Sequence, residues 1–175
     1  MKIALLGGTF DPVHKGHIQV AIEVLKQTSM DQVWFVPSAN PPHKDHTMFS
    51  FEQRVIYIKE AIKDYPKFAI WDRDLRKNDK SYTIYLINEL YEKYPEYKFA
   101  FIIGADNVTK LQSWYRYEEL LELIEFIVID RDVGDRDKWH ELPYFKALRF
   151  INMPLVNVAS QEIREKIEKI IKSDV

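Results

Sequence analysis

The sequence predicts a single α/β domain with a doubly wound parallel sheet and helices on both of its faces. Short apolar runs alternate with helical patterns along the chain, and this order is typical of parallel strands joined by helices. The length of 175 residues lies in the range of one domain that buries a sizeable core. Neither an internal repeat nor a linker divides the chain, so we expect one domain over residues 1–175.

The predicted strands are short apolar runs, which are typical of strands buried on both faces. They occupy residues 2–6, 32–36, 68–71, 98–103 and 126–129, with a last one near 150–151. The predicted helices have apolar residues at the spacing of one buried face, which the first helix forms from Ile18, Ala21, Ile22 and Leu25. A Ser-x-x-Gln capping box begins a helix over residues 50–65. Further helical patterns cover residues 82–94, 118–123 and 160–173.

The loop between the first strand and the first helix has the sequence GGTFDPVHKGH and runs from Gly7 to His17. Gly7 and Gly8 permit a positive φ and let a ligand approach the backbone closely. The helix N-terminus that follows offers an anion unpaired N–H groups and roughly half a positive charge. His14 and His17 add two donors that can gain charge near neutral pH. The loop therefore predicts a phosphate-binding site.

Two other interpretations of this loop stay open, namely half a metal site and solvated histidines on an ordinary turn. The loop matches neither the dinucleotide motif G-x-G-x-x-G nor the P-loop G-x-x-x-x-G-K-[ST]. Because the chain has no cysteine and no H-E-x-x-H motif, a metal site is the weaker of the two alternatives.

Composition limits the classes of partner that we expect. The net charge is −2 and no block of lysine or arginine forms a basic patch, so we expect no nucleic-acid partner. No apolar run approaches the length that spans a bilayer, and no signal-peptide pattern opens the chain, so we expect no membrane partner. The absence of cysteine agrees with a cytoplasmic location. The sequence leaves homo-oligomerisation open.

The loop resembles the signature of the H-x-G-H nucleotidyltransferase superfamily, and more closely that of its bacterial nicotinate mononucleotide adenylyltransferases. Further segments follow in that family's order: PPHK at 41–44, SYT at 81–83, IIGAD at 102–106 leading to Trp114 and Tyr115, and EIR at 162–164. The resemblance covers residue 2 to about residue 170. It implies a Rossmann-like fold and adenylyl transfer from ATP to nicotinate mononucleotide.

By this resemblance, the side chains that neutralise phosphate charge are His14, His17, Lys44 and Arg164. The ATP site comprises Gly7, Gly8, Thr9, Phe10, Gly104, Asp106 and Ser160. The acceptor site comprises Ser81, Tyr82, Thr83, Trp114, Tyr115 and Arg131. The structural alternatives are core packing for Trp114, helix capping for Ser81, Thr83 and Asp106, solvation for Lys44, and ion pairing with Asp130 and Asp132 for Arg131.

The implied reaction is an in-line attack of the mononucleotide phosphate on the α-phosphorus of ATP, which expels pyrophosphate without a covalent enzyme intermediate. The nucleophile is already an anion, so the protein must mainly position two phosphates and neutralise their charge. Mg²⁺ would bridge oxygens of the ATP phosphates and would need few protein ligands. We therefore expect Mg²⁺ as the cofactor, with no metal site built by the protein itself.

The C-terminal segment departs from the family pattern. Residues 158–161 are Val-Ala-Ser-Gln, where the family usually has Ile-Ser-Ser-Thr, so fewer side-chain hydroxyls are present for the triphosphate. We expect slower turnover or weaker ATP binding from this difference. Nicotinamide mononucleotide and phosphopantetheine remain alternative acceptors, and a nucleotide-binding regulator that has lost catalysis is an alternative from a different class.

Overall fold

The computed structural model describes residues 1–38, 47–72, 82–130 and 139–153, together with Glu162, Ile163 and Glu165. The described strands are β1 (Lys2–Gly8), β2 (Gln32–Pro37), β3 (Phe68–Ile70), β4 (Lys98–Gly104), β5 (Glu125–Asp130) and β6 (Leu148–Asn152). The described helices are α1 (Lys15–Gln27), α2 (Phe51–Ile62), α3 (Thr83–Lys93) and α4 (Tyr117–Leu123). Of the predicted helix over 160–173, the three described residues are helical and the remainder lies outside the described residues.

The six strands form one sheet in the order β3-β2-β1-β4-β5-β6, and every neighbouring pair is parallel. From β1 the chain builds outward to β3 on one side and then crosses to β4 on the other. The winding therefore reverses between β1 and β4, and a crevice for ligands opens there at the carboxyl ends of the strands. This topology confirms the predicted doubly wound α/β fold.

Alternate strand residues pack on opposite faces of the sheet, as the two-residue period of a strand requires. Ile3 and Leu5 of β1 lie in the apolar cluster that α3 and α4 cover, whereas Ala4 and Leu6 lie in the cluster that α1 and α2 cover. The prediction of helices on both faces is confirmed. Within the described ranges, none of the helices has the length and apolar character needed to cross a membrane.

The end of β1 differs from the prediction in a way that matters for the site. Gly7 and Gly8 belong to the strand, where they pair with Val36 and Pro37 of β2, and neither has a positive φ. The expectation that these glycines provide a left-handed turn is therefore wrong. Glycine is needed at these positions because a larger residue would crowd a neighbouring ring. A Cβ on Gly7 would lie 2.7 Å from the ring of Phe101. A Cβ on Gly8 would lie 3.1 Å from the Phe10 ring.

One buried hydrogen bond ties the turn after β4 to the segment that precedes β6. The hydroxyl of Tyr144 donates to the carbonyl oxygen of Val108 at 3.0 Å. Tyr144 is only 4% exposed, and burial raises the pKa of its hydroxyl, so this group stays protonated as a donor.

We expect Tyr144→Phe to lower the free energy of unfolding by about 1 kcal/mol, because the Val108 carbonyl loses a buried donor. Urea denaturation measures this change. Tyr117→Phe is the matched control, since the Tyr117 hydroxyl makes only a long, exposed contact of 3.4 Å to Glu118. Equal stability of the two variants would contradict a stabilising role for the hydrogen bond from Tyr144 to Val108.

Candidate active site

A cavity of about 680 Å³ opens at the carboxyl ends of β1, β4 and β5. Its described lining includes four residues that the sequence predicts for the site, namely Gly7, Gly104, Asp106 and Trp114. The predicted residues Lys44, Ser81, Arg131, Ser160 and Arg164 lie outside the described residues. The crevice that the topology requires is thus present, and it gathers residues from distant parts of the chain.

Two histidines cap the N-terminus of α1 with their ring nitrogens. His14 is the residue before the helix, and its Nδ1 accepts the backbone N–H of Gly16 at 3.1 Å. The Nδ1 of His17 accepts the backbone N–H of His14 at 3.2 Å, which completes a reciprocal capping box. Because each Nδ1 acts as an acceptor, the proton of each neutral ring lies on Nε2. The cap therefore selects one tautomer for both rings.

The charge of His17 differs from the sequence-based expectation. Burial, together with a smaller effect of the neighbouring His14, whose ring centroid is 3.8 Å away, lowers the pKa of His17 to about 3. Without a bound anion, His17 is thus neutral at pH 7 and provides an N–H donor rather than a positive charge. A bound phosphate would oppose this shift, since an adjacent anion favours the charged imidazole.

Phe10 lies in the loop, but its side chain contributes differently from the prediction. The Phe10 side chain is 2% exposed and packs edge-on against the His17 ring at a centroid distance of 4.9 Å. It also contacts the ring of Phe35. The side chain of Phe10 is therefore core, which leaves only its backbone for a nucleotide. Its φ of +48° places it in the left-handed region.

Gly104 and Asp106 lie where β4 ends and a short 3₁₀ turn, Ala105–Asn107, begins. Asp106 is exposed and lies inside this turn, whose N-cap residue is Gly104, so the capping alternative is wrong for Asp106. A Cβ on Gly104 would lie 2.6 Å from Oδ1 of Asp106. Glycine at this position is therefore what allows the Asp106 carboxylate to lie over the strand end, on the rim of the cavity.

Trp114 is half-buried at the cavity wall, between the core and the open volume. Its ring packs edge-to-face against Phe101 and Phe126, at centroid distances of 5.8 and 6.1 Å. These contacts fix the ring without burying it completely. Both interpretations of Trp114 thus hold in part, because it packs on the core and also presents surface to the cavity.

Tyr82, Thr83 and Tyr115 form a second group near α3. Tyr82 precedes the helix and makes no side-chain capping bond, and Thr83 is the first helical residue rather than the cap. The Tyr115 ring stacks on that of Tyr82 at 4.5 Å and is 45% exposed. Neither tyrosine belongs to the described lining of the cavity. The first-turn N–H groups of α3 therefore have no side-chain cap from Tyr82.

Sequence reasoning missed three residues near the site. Arg54 of α2 and Asp11 of the loop are 1% and 2% exposed, and both hydrogen-bond to backbone close to the histidines. Trp139 lines the cavity and stacks on Phe150 at 5.3 Å. The sequence offers one signal for Arg54. This charged residue directly precedes Val55, on the side of α2 that packs on the core.

A family model described as cytidylyltransferase-like matches residues 5–167. The chain belongs to the cytidylyltransferase-like family. It is similar to the nicotinate-nucleotide adenylyltransferase of Bacillus subtilis, with 39% identity over 95% of this chain and 86% of that one. A protein of Oceanobacillus iheyensis, named a probable nicotinate-nucleotide adenylyltransferase, is also 39% identical over 95% of this chain and 84% of that one.

A solved structure shares the fold. It is the nicotinic acid mononucleotide adenylyltransferase of Plasmodium falciparum complexed with NaAD, with a TM-score of 0.77 and 24% identity over 94% of this chain and 82% of that one. Together with the sequence relatives, it confirms the resemblance seen in the sequence and the nucleotidyltransferase class.

The two roles of His17, capping and donation to a ligand, are separable. Glutamine can replace the capping role, because Gln53 accepts the N-cap N–H at the same position of α2. We expect His17→Gln to keep the melting temperature but to lower turnover by about 10² or more, since the Nε2–H donor is lost. His17→Ala, the comparison variant, should lose turnover and also about 1 kcal/mol of stability. A His17→Gln enzyme with near-normal turnover would refute the donor role.

The pKa of His17 also predicts how stability depends on pH. In the unfolded chain the ring takes up a proton near its ordinary value of 6.5, whereas the folded protein resists this until about pH 3. The unfolded state therefore binds more protons between these values, and the free energy of unfolding falls as the pH is lowered through this window. Urea denaturation at pH 7 and at pH 5 should show that the free energy of unfolding falls less in His17→Gln than in the wild type. An equal loss in both proteins would be the contrary result.

Proposed function

We propose that this protein is a nicotinate-nucleotide adenylyltransferase, which transfers AMP from ATP to nicotinate mononucleotide and releases pyrophosphate. The observation that carries the proposal is the N-terminus of α1, where two histidine rings of one defined tautomer act as caps, while Val20 of the same helix lines the cavity at the strand ends. The relatives of Bacillus subtilis and Oceanobacillus iheyensis, similar over nearly the whole chain, support the choice of acceptor.

The reaction needs positioning and charge stabilisation more than proton transfer. A phosphate oxygen of nicotinate mononucleotide attacks the α-phosphorus of ATP, and the bond from that phosphorus to the oxygen of the β-phosphate breaks. Pyrophosphate leaves with the electron pair, and no proton has to move. The positive end of the α1 dipole and the Nε2–H groups of His14 and His17 stabilise the charge that spreads over the phosphate oxygens.

The acceptor ring would occupy the cavity beside Trp114. An aromatic face held by Phe101 and Phe126 is suited to a flat pyridine, with about 1 kcal/mol gained beyond burial. A carboxylate on that ring favours N–H donors, and the N-terminus of α3 has such groups without a side-chain cap from Tyr82. This combination supports an acidic acceptor over an amide.

ATP would lie along the strand ends near Gly7 and Gly104, with Asp106 available to its ribose hydroxyls. Lys44, Arg164 and Ser160 stay predicted phosphate contacts, and Ser81 and Arg131 stay predicted acceptor contacts. Mg²⁺ would be carried by the ATP phosphates, because it needs few protein ligands when substrate phosphate oxygens bind it. When bound, it would neutralise phosphate charge.

The test is pyrophosphate release from ATP and Mg²⁺ with three acceptors in parallel: nicotinate mononucleotide, nicotinamide mononucleotide and phosphopantetheine. We expect strong preference for the nicotinate acceptor, because the amide lacks the charge that a helix N-terminus favours. His17→Gln is the control, and it should remain folded while losing the release. Preference for another acceptor would overturn the substrate assignment. ATP binding with no pyrophosphate release for any acceptor would instead support a regulator without catalysis.

A further inference from the structure

Arg54 is a buried cation that α2 directs toward the loop of residues 7–17, here called the phosphate loop. Its side chain is 1% exposed, and its Nη1 donates to the carbonyl oxygens of Thr9 and of Ser38, the latter at 2.9 Å. Burial lowers the pKa of Arg54, and the charges of Asp11 and Glu52 oppose this shift. A buried charge is expensive unless it is compensated, so this side chain is expected to hold its acceptors closely.

Asp11 makes a second link, from a side chain of the phosphate loop to the backbone of the segment that precedes α2. Its carboxylate is 2% exposed, and its two oxygens accept the backbone N–H groups of Met48 and Phe49, each at 2.9 Å. These are charge-assisted bonds from a buried acceptor, which are stronger than neutral ones. The backbone N–H of Ser38 also donates to the carbonyl of Gly8 at 2.8 Å. The phosphate loop is therefore bonded to both ends of the β2–α2 connection.

These bonds converge on the one left-handed residue of the phosphate loop. Thr9 and Asp11 are the direct neighbours of Phe10, whose φ of +48° costs about 1 kcal/mol or more for a bulky side chain. The Phe10 ring in turn packs on the His17 ring, at a centroid distance of 4.9 Å. A physical chain of contacts thus runs from Arg54 and Asp11 through Phe10 to His17.

We propose that Arg54 and Asp11 are positioning residues, which hold Phe10 in its left-handed conformation and thereby fix the place of the His17 ring at the phosphate site. Neither residue has to touch a nucleotide. The hypothesis rests on the proposed function, because it assigns a catalytic consequence to the position of His17. If Arg54 and Asp11 had a purely structural role, they would stabilise the fold without affecting catalysis. The positioning role and the structural role therefore predict different kinetics.

Arg54→Met removes the donors and keeps most of the apolar volume of the side chain. We expect kcat to fall by about ten- to a hundredfold, since misplaced groups lose transition-state stabilisation, while the KM for ATP changes less than threefold. Arg54→Lys keeps a charge and a donor, and should recover part of kcat. The control is Leu90→Ala, which removes a fully buried side chain of α3 from the apolar cluster on the opposite face of the sheet from Phe10. It should lose stability and keep kcat within twofold at temperatures where it is folded.

The kinetic test is read at a temperature where circular dichroism shows each variant to be folded. If Arg54→Met retains kcat within threefold of the wild type, or loses no more kcat than Leu90→Ala, the positioning role is wrong. Should Arg54→Met fail to fold, Asp11→Asn replaces it, with an expected severalfold loss of kcat from one weakened backbone contact. Normal kcat in a folded Asp11→Asn protein would equally overturn the proposal.

A second readout separates this proposal from the proposed function. Imidazole signals of His17 in nitrogen-15 NMR spectra do not depend on the acceptor, and they should shift in Arg54→Met but not in Leu90→Ala. An inactive wild type with shifted His17 signals in Arg54→Met would refute the proposed function and leave the positioning intact. An active wild type with unchanged His17 signals and unchanged kcat in Arg54→Met would refute the positioning alone.

Discussion

The site depends on how the backbone amides at the N-terminus of α1 find hydrogen-bond partners. A helix must satisfy these groups or offer them to a ligand, and here two histidines cap them with Nδ1 while each ring retains a proton on Nε2. Capping and ligand donation are thus performed by opposite sides of the same rings. Because His17 is buried against Phe10, it is a neutral donor in the empty site.

The sheet determines what this helix terminus can reach. The reversal of winding between β1 and β4 leaves a cavity at the strand ends, and small residues at Gly7 and Gly104 keep that cavity open beside Phe101 and Asp106. Trp114 provides an aromatic face at the other wall. A phosphate site at one end and a flat apolar surface at the other match a mononucleotide with an aromatic base. The proposed acceptor follows from this combination.

Much of this architecture could be predicted because it is local in sequence. Apolar runs located all six strands, and the Ser50 capping box located the start of α2, since both patterns arise from neighbouring residues. Contacts between distant segments could not be predicted in the same way. Glycine at position 7 was attributed to a turn, although the reason is the Phe101 ring. Arg54 was missed because its partners are 45 and 16 residues away and are backbone carbonyls that any residue carries.

The central claim, that the cap of α1 determines the tautomer of both histidines, is tested most directly by nitrogen-15 NMR of the imidazole rings in the unliganded protein. Spectra of His14 and His17, assigned with single variants, should show Nε2–H tautomers for both rings at pH 7. The His17 signals should remain those of a neutral ring down to about pH 4, because burial lowers its pKa to about 3. A proton on Nδ1 of either ring, or a charged His17 at pH 6, would contradict the account.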